Sequence, residues 1–432
     1  MLSRTVRFGE STILPLTRQF SERLGLDWKR RARLLVSRQA RLPQLVKHDE
    51  GMTSRMNGLR CLGEPGLRNV HARLREEIVP RDLFSLTIQS CVTGNADCFM
   101  ACVALAEAMP HLQGAFLAAM EWVEPAQLHE LMKGWRTNSE LHRLTKLRLL
   151  ADVQFDSLNL GSVIDEIRTQ TEQRLLLRAA RVRARPDQIR IPLEENVATL
   201  SDNEFQWEVC AHHLLFGGVQ KRDQMLEQAC DYIQYSKEKE IKPWIILLVS
   251  EPAQRGERLA QTILRYTGMG RYYIIALGWL GKVQYIPELI DLLDKPALAR
   301  IAAHSITMLT GSMPEKDDWQ RVASNTASTD KTQTKDQHDP DGHLPWPDKK
   351  RFSFWWNKHR QGFDTGSRYL LGNKREPQKL VYLLREAPLI WRPAAAWMLQ
   401  RQRPAMALDT DAAVFRQIIN LARLERLAES TV

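Results

Sequence analysis

The side chains able to do chemistry fall into four groups. His212-His213 sets two imidazoles side by side, each able to ligate a metal or move a proton. Neighbours on a helix point about 100° apart, so the pair would not close on one ion, and no carboxylate lies at a spacing that completes a metal motif. His338-Asp339-Pro340-Asp341-Gly342-His343 is the densest ligand-like run, with donors suited to a divalent cation. It lies in a polar stretch that offers no preformed cage, so metal ligation is not its expected use. The third group is aromatic: Trp346, Trp355 and Trp356, then Phe363, Arg368 and Tyr369, beside Lys349, Lys350, Arg351, Lys358 and Arg360. Rings and arginines of this kind anchor protein interfaces and also stack on nucleic-acid bases. The same block can instead fold as a plug on the helices before it, Arg368 pairing with a carbonyl or carboxylate and Gly366 permitting a tight turn. The fourth group is basic. Residues 1–50 hold eleven Lys and Arg against five Asp and Glu, and Arg174–Arg190 is arginine-rich. Both runs suit phosphates or an acidic protein face, and both also suit a solvated helix face.

No Walker loop, G-x-S-x-G elbow, HExxH or glycine-rich dinucleotide turn occurs. The expectation is therefore a protein that is not an enzyme and takes no cofactor. The six cysteines are scattered with no CxxC, which fits reduced, mostly buried thiols rather than a zinc ribbon or redox pair. Cys98 and Cys102, four apart, are expected to share a helix face in the core. A net charge of +10 over 432 residues favours acidic partners, but the surplus is modest for this length. With 44% hydrophobic and 26% charged residues the chain has the balance of a folded globular protein. No apolar run approaches the ~20 residues that span a bilayer. The start, Met1–Glu10, has two arginines and a serine but no apolar segment, and Glu10, Glu22 and Asp27 argue against a mitochondrial presequence. A cytoplasmic location is expected.

The elements that must carry these groups read as helices nearly throughout. Apolar residues recur at three and four, as in Tyr285, Ile286, Leu289, Ile290 and Leu293, and no alternating strand pattern is seen. Short apolar helices end about thirty residues apart at a glycine or proline: Gly63, Gly94 and Pro125, then Gly281 and Gly311. Glycine there suits a left-handed C-cap, proline the first turn of the next helix. That period, with two helices per unit, predicts an α-solenoid of stacked pairs. The clearest unit is 272–311, with Pro287 in the first turn of a second helix and Asp294 as N-cap of a third; 56–135 has the same grammar. Trp244–Val249 is apolar enough for a buried helix. The chain divides into a basic helical region (1–50), N-terminal HEAT-like repeats (51–150), degenerate helical repeats (151–270), a HEAT repeat (271–311), a flexible polar linker (312–342) and a Trp-rich block with C-terminal helices (343–432).

The later segments resemble the bacterial HEAT-repeat protein family encoded within type VI secretion loci, often beside PAAR-like spike genes. Its C-terminal pattern of an acidic linker, LPWP, a WW pair and F-x-x-G-x-RYLLG is matched by Leu344–Pro347, Trp355-Trp356 and Phe363, Gly366 and Arg368–Gly372. Its L-D-G-L-R-x-x-G-E-x-G element is matched by Met56–Gly66 and its W-V-x-P element by Trp122–Pro125, so the resemblance covers roughly 20–425. Asn57 stands where the family often has Asp, and Lys349, Lys350 and Arg351 make the stretch after LPWP more basic. The resemblance implies an all-α, HEAT-like solenoid that acts as a scaffold, adaptor or chaperone, gripping a secretion effector or spike protein. Trp346, Trp355, Trp356, Phe363, Arg368 and Tyr369 are the candidate contacts. An immunity protein that covers a cognate toxin is the alternative. Enzymatic solenoids such as bilin lyases or DNA glycosylases share only fold analogy, and nucleic acid is not the expected partner. The sequence leaves the oligomeric state open.

Overall fold

The computed structural model describes residues 10–63, 72–73, 77–135, 139–150, 167–183, 203–218, 220, 223–224, 253–267, 270–321 and 341–429. The described residues are overwhelmingly α-helical, and the chain divides into two compact units: residues 1–193 with 383–432, and residues 194–382. None of the described helices is long and apolar enough to cross a membrane.

The first unit begins with α1 (Glu10–Leu35) and α2 (Leu42–Cys61), packed on each other, followed by α3 (Pro80–Val92), α4 (Ala96–Ala108), α5 (Pro110–Met120), α6 (Pro125–Gly134), α7 (Glu140–Leu150) and α8 (Gln170–Arg183). The punctuation expected from the sequence is present. Gly63 and Gly94 have φ of +53° and +68°, and Pro125 opens α6. Asn95 caps α4, its side chain accepting from the Cys98 amide at 2.8 Å. Helix α3 is buried at every position from Leu83 to Val92. One side of it (Leu83, Leu86, Cys91) packs toward Phe99, Phe116 and Trp135. The other (Phe84, Ile88, Val92) packs toward Leu24, Met52 and Leu59. A helix buried all round, with Ser85, Thr87, Gln89 and Ser90 among its enclosed residues, must lie inside a layer of others. Here α1 and α5 both pack on α3, and α7 packs on α5.

Cys91, Cys98 and Cys102 lie in this core, as the spacing of the last two predicted. Burial pushes the Cys102 thiol up to about 11, against a smaller opposing effect of hydrogen bonding to Ser90 and Thr87. Desolvation likewise raises Cys91.

In the second unit, α9 (Asn203–Phe216) carries the two adjacent histidines. Their rings make an edge contact, centroids 5.7 Å apart, and His212 also packs on Phe216 at 5.3 Å. Desolvation lowers the pKa of His212, partly opposed by Glu208. Next come α10 (Ala253–Thr267), α11 (Gly270–Leu280), α12 (Ile286–Leu292) and α13 (Pro296–Thr310). Helix α11 packs on both α10 and α13. Close approach is set by Gly278, where a β-carbon would lie 2.9 Å from Ser305 Oγ, and that hydroxyl donates to the Ile274 carbonyl at 2.8 Å. Pro287 sits in the first turn of α12 as expected. The expected cap at Asp294 is corrected: the N-cap of α13 is Lys295, with no side-chain cap bond, and Asp294 instead pairs with Lys349 at 2.9 Å. Then follow α14 (Lys349–His359) and a small antiparallel hairpin, β1 (Tyr369–Leu370) with β2 (Asn373–Lys374), in register Tyr369 to Lys374 and Leu370 to Asn373. The sequence pattern gave no sign of this hairpin. Helices α15 (Pro377–Glu386), α16 (Arg392–Gln402) and α17 (Val414–Glu429) end the chain. The expected buried helix over 244–249 lies outside the described residues.

The first unit is thus closed by the last part of the chain, and one carboxylate ties that closure. Asp49, 1% exposed, accepts from Arg31 Nε at 3.0 and 3.1 Å and from the Val414 amide at 3.0 Å. The rest of the Arg31 guanidinium donates to the carbonyls of Asp411 at 2.8 Å and Ala412 at 2.6 Å, and it lies 5.4 Å over the Trp122 ring. Leu389 N donates to Ala40 O at 2.8 Å and Arg178 pairs with Asp409 at 3.1 Å, adding further ties between early and late chain. A buried pair that loses one member leaves a charge with no water to solvate it. Asp49→Ala should therefore cost about 3–5 kcal/mol in urea unfolding; a loss below about 1 kcal/mol would contradict this account. In a Cys230→Ser background at pH 8, a disulfide reagent should label exposed Cys61 quickly and Cys91, Cys98, Cys102 and Cys210 only on the timescale of unfolding. Fast reaction of all five in the native protein would show that the core is open.

Candidate functional site

The six sequence-chosen residues lie in one continuous block of the second unit, and its geometry starts from helix ends. The last carbonyls of any α-helix have no partner within the helix. Helix α11 stops at Gly281 (φ +79°) and α13 at Gly311 (φ +75°), the left-handed caps that sequence spacing predicted. The segment 368–375 supplies what these ends lack. Arg368 Nε donates to Leu280 O at 2.7 Å, Arg375 Nη2 donates to Trp279 O, and the Tyr369 amide donates to Gly281 O at 2.7 Å. At the other helix, the Leu371 amide donates to Met308 O at 2.6 Å and the Gly372 amide to Leu309 O at 3.1 Å. The hairpin is thus a plug on two helix C-termini. Two guanidinium groups near the negative end of a helix dipole are favourably placed. Burial, then the neighbouring charge of Arg368, disfavours the charged form of Arg375. The carbonyls of Trp279 and Tyr369 that it contacts offset that penalty.

The turn joining β1 to β2 is Leu371-Gly372, with φ of +49° and +73°. Positive φ at both central residues is the signature of a type I′ hairpin turn. Leucine is a strained choice there, held by its amide bond to Met308 and by Asn373 Nδ2 donating to its carbonyl at 2.9 Å. The tight turn is therefore at 371–372. Gly366 lies in a different one, its amide donating to Asp364 Oδ1 at 2.9 Å.

The aromatic residues lead from the plug to α14. Tyr369 is buried and its ring meets Phe363 edge-on at 5.1 Å, while its hydroxyl accepts from the Asp364 amide at 2.7 Å. Phe363 packs in turn on Trp356 at 5.4 Å. A second chain of rings runs from Trp319 to Phe352 (4.7 Å), Trp355 (5.7 Å) and His359 (4.3 Å). Trp355 and Trp356 are both half-buried, so neither is a free surface ring. Trp346 is 40% exposed, with the Arg300 guanidinium 4.5 Å over its face. The structure thus gives all six chosen residues an internal packing or capping partner, with Trp346, under Arg300, the most open of them.

Trp319 was not foreseen. It lies in the polar stretch expected as a flexible linker over 312–342, and that expectation needs correcting at both ends. Trp319 is fully buried, its Nε1 donating to Ser312 Oγ at 2.9 Å, and 319–321 is laced to 346–348 by Asp348 N to Trp319 O (2.7 Å) and Arg321 N to Trp346 O (2.8 Å). At the other end Asp341 is buried and ion-paired with Arg271. Residues 322–340, including His338 and Asp339, lie outside the described residues. The salt bridge commits Asp341 to a guanidinium, and among the described residues no group of three or more His, Cys, Asp or Glu could hold a metal.

The outward side of α14 was also missed. Asp348 caps the helix, accepting from the Arg351 amide at 3.0 Å, and Lys349 is drawn to Asp291 and Asp294. That fixes which side faces inward, where Phe352 is fully buried. Phe354 is left 75% exposed. At 100° per residue, Lys350 and Lys358 stand within about 40° of it on the helix surface. Both lysines are exposed, and among the described residues neither has an ion pair. The alternation of inward Phe352 and outward Phe354 follows from the helix period, but only the fold says which of the two is buried.

No family model matches the chain, and neither the curated proteins nor the solved structures compared with it give a match.

The plug predicts a graded response at glycine. A β-carbon on Gly311 would combine a left-handed backbone, worth about 1–2 kcal/mol, with an approach of 2.6 Å to the Leu371 carbonyl. Gly311→Ala should cost about 2–4 kcal/mol in chemical unfolding. Gly366→Ala, where the nearest atom is Asp364 Oδ1 at 3.3 Å, should cost less than about 1 kcal/mol. Equal costs would remove the hairpin's capping role.

Proposed function

We propose that this chain is a non-enzymatic, HEAT-like scaffold of bacterial type VI secretion, an adaptor or chaperone that holds an effector or PAAR-like spike component in the cytoplasm. The resemblance of 344–372 to the family motifs supplies the setting. Packing of every second helix in the first unit, α1 on α3, α3 on α5 and α5 on α7, is the arrangement a stacked-pair solenoid would have and supports that part of the reading.

The observation that carries the binding role is Phe354, three-quarters exposed between Lys350 and Lys358, which have no ion pair among the described residues, on a helix whose other side is anchored. Isolated apolar residues on a surface are ordinary. This one differs in being a large ring, rigidly presented and flanked by one sign of charge. A rigid aromatic anchor loses little side-chain entropy on binding. Exposed lysines around it favour an acidic partner and raise its association rate. The tryptophans support the helix from within, and Trp346 extends the aromatic surface.

The test is affinity capture from the native bacterium with wild-type and Phe354→Ala chains. A spike or effector component should be held by the wild type and weakened by roughly 2 kcal/mol or more in the variant, with unchanged thermal stability. Recovery of no secretion component, or equal capture by both chains, would refute the adaptor. A lone toxin captured by both, with restored growth of poisoned cells, would establish immunity instead.

A further inference from the structure

Helices α1 and α2 leave a cleft of about 270 Å³ lined by Arg23, Leu26, Asp27, Arg30 and Arg55. The helix period brings Arg23, Asp27 and Arg30 to one side of α1, since they stand four and three residues apart. Asp27, with only 9% of its side chain exposed, organises two of the three arginines: Arg55 Nη1 is 3.0 Å away and Arg30 Nη1 is 3.5 Å away. Arg55 is further fixed by donating to the Gly51 carbonyl at 2.6 Å. Arg23 is exposed and, among the described residues, has no ion pair. One carboxylate thus faces three guanidinium groups, and the cleft keeps a formal surplus of two positive charges.

We infer that this cleft binds a small doubly charged oxyanion, with a tetrahedral phosphate group as its ligand. The surplus matches a dianion. Guanidinium groups present planar forks of donors that suit phosphate oxygens, and here they come from two helices. The Gly51 carbonyl and the ion pair with Asp27 hold Arg55 in place before any ligand arrives, which lowers the ordering cost of binding, while Arg30 and Arg23 are exposed and close on the ligand. The volume lies below the ~300–1,000 Å³ of clefts that enclose drug-sized ligands, so the site takes a phosphate group rather than a large organic molecule. Leu26, 40% exposed, gives the lining an apolar member that excludes some water from beside the charges. The site belongs to the first unit and stands independently of the Phe354 surface.

The probe is inorganic phosphate, titrated into the full chain at constant ionic strength and followed by calorimetry and by phosphorus NMR. One saturable site is expected, half-filled at about 1 mM or below, and it should weaken as salt is raised. Arg23→Gln and Arg30→Gln should each weaken binding at least about tenfold. Both side chains are exposed, so circular dichroism should show a folded chain in each case. Arg33→Gln removes the same charge from an exposed position on α1 that does not line the cleft, and it should change binding less than about twofold. Malonate, a dianion whose charges sit on two planar carboxylates rather than on one tetrahedral centre, separates phosphate from carboxylate sources and should bind more weakly. Failure to saturate, equal loss in Arg33→Gln and Arg23→Gln, or malonate binding as tightly as phosphate would each overturn the assignment.

Discussion

The carbonyl oxygens at the ends of α11 and α13 set the terms for the second unit. A helix cannot satisfy its own last acceptors, and in a packed interior water is not at hand to do so. The chain meets the demand with a remote segment: one hairpin delivers backbone amides to Gly281, Met308 and Leu309, and two arginines reach Leu280 and Trp279. The left-handed glycines make room for it, since a side chain at either would collide with hairpin atoms. Once the hairpin is seated, Tyr369 and Phe363 are fixed, Trp356 packs on Phe363, and α14 is held with Phe352 inward. The exposed ring of Phe354 is the far end of this chain of dependence.

The first unit solves a related problem with charge. Asp49 and Arg31 are both buried, and neither would tolerate burial without the other and without backbone partners. Those partners lie in 411–414. The ion pair gives specificity of closure more than net stability, because two desolvated charges start from a large penalty. The bulk of the driving force is the apolar packing around α3.

The punctuation of the helices was legible because its physics is local. Gly63, Gly94, Gly281 and Gly311 adopt a conformation that other residues avoid, and Pro125 and Pro287 sit where a helix needs no amide. The plug was legible in part, since Arg368 does bond to a carbonyl. Features decided by distant partners were not legible. Asp294 looks like a cap until Lys349 competes for it. Trp319 looks like linker because its neighbours in sequence are polar, whereas its burial depends on Ser312 and Phe352. The two-residue strands are too short to show alternation. The inward and outward roles of Phe352 and Phe354 depend on what lies against α14, which no local pattern encodes. The arginines of the α1–α2 cleft read as a charged run until the helix pairing brings Arg55 beside them.

The tie between Asp49 and Val414 spans 365 residues of sequence, and this has a consequence for synthesis. At ~5–20 residues per second, a ribosome needs roughly 20–70 s to travel from one partner to the other. Through that interval Asp49 and Arg31 have each other but lack the backbone groups that complete their shell. The second unit, whose residues run continuously from 194 to 382, is released whole before the first can close. In the newborn chain the core around Leu24, Met52 and Leu59, drawn from residues before 123 except for Ala413, can assemble early, whereas the buried Arg31–Asp49 pair beside it waits for the backbone of 411–414.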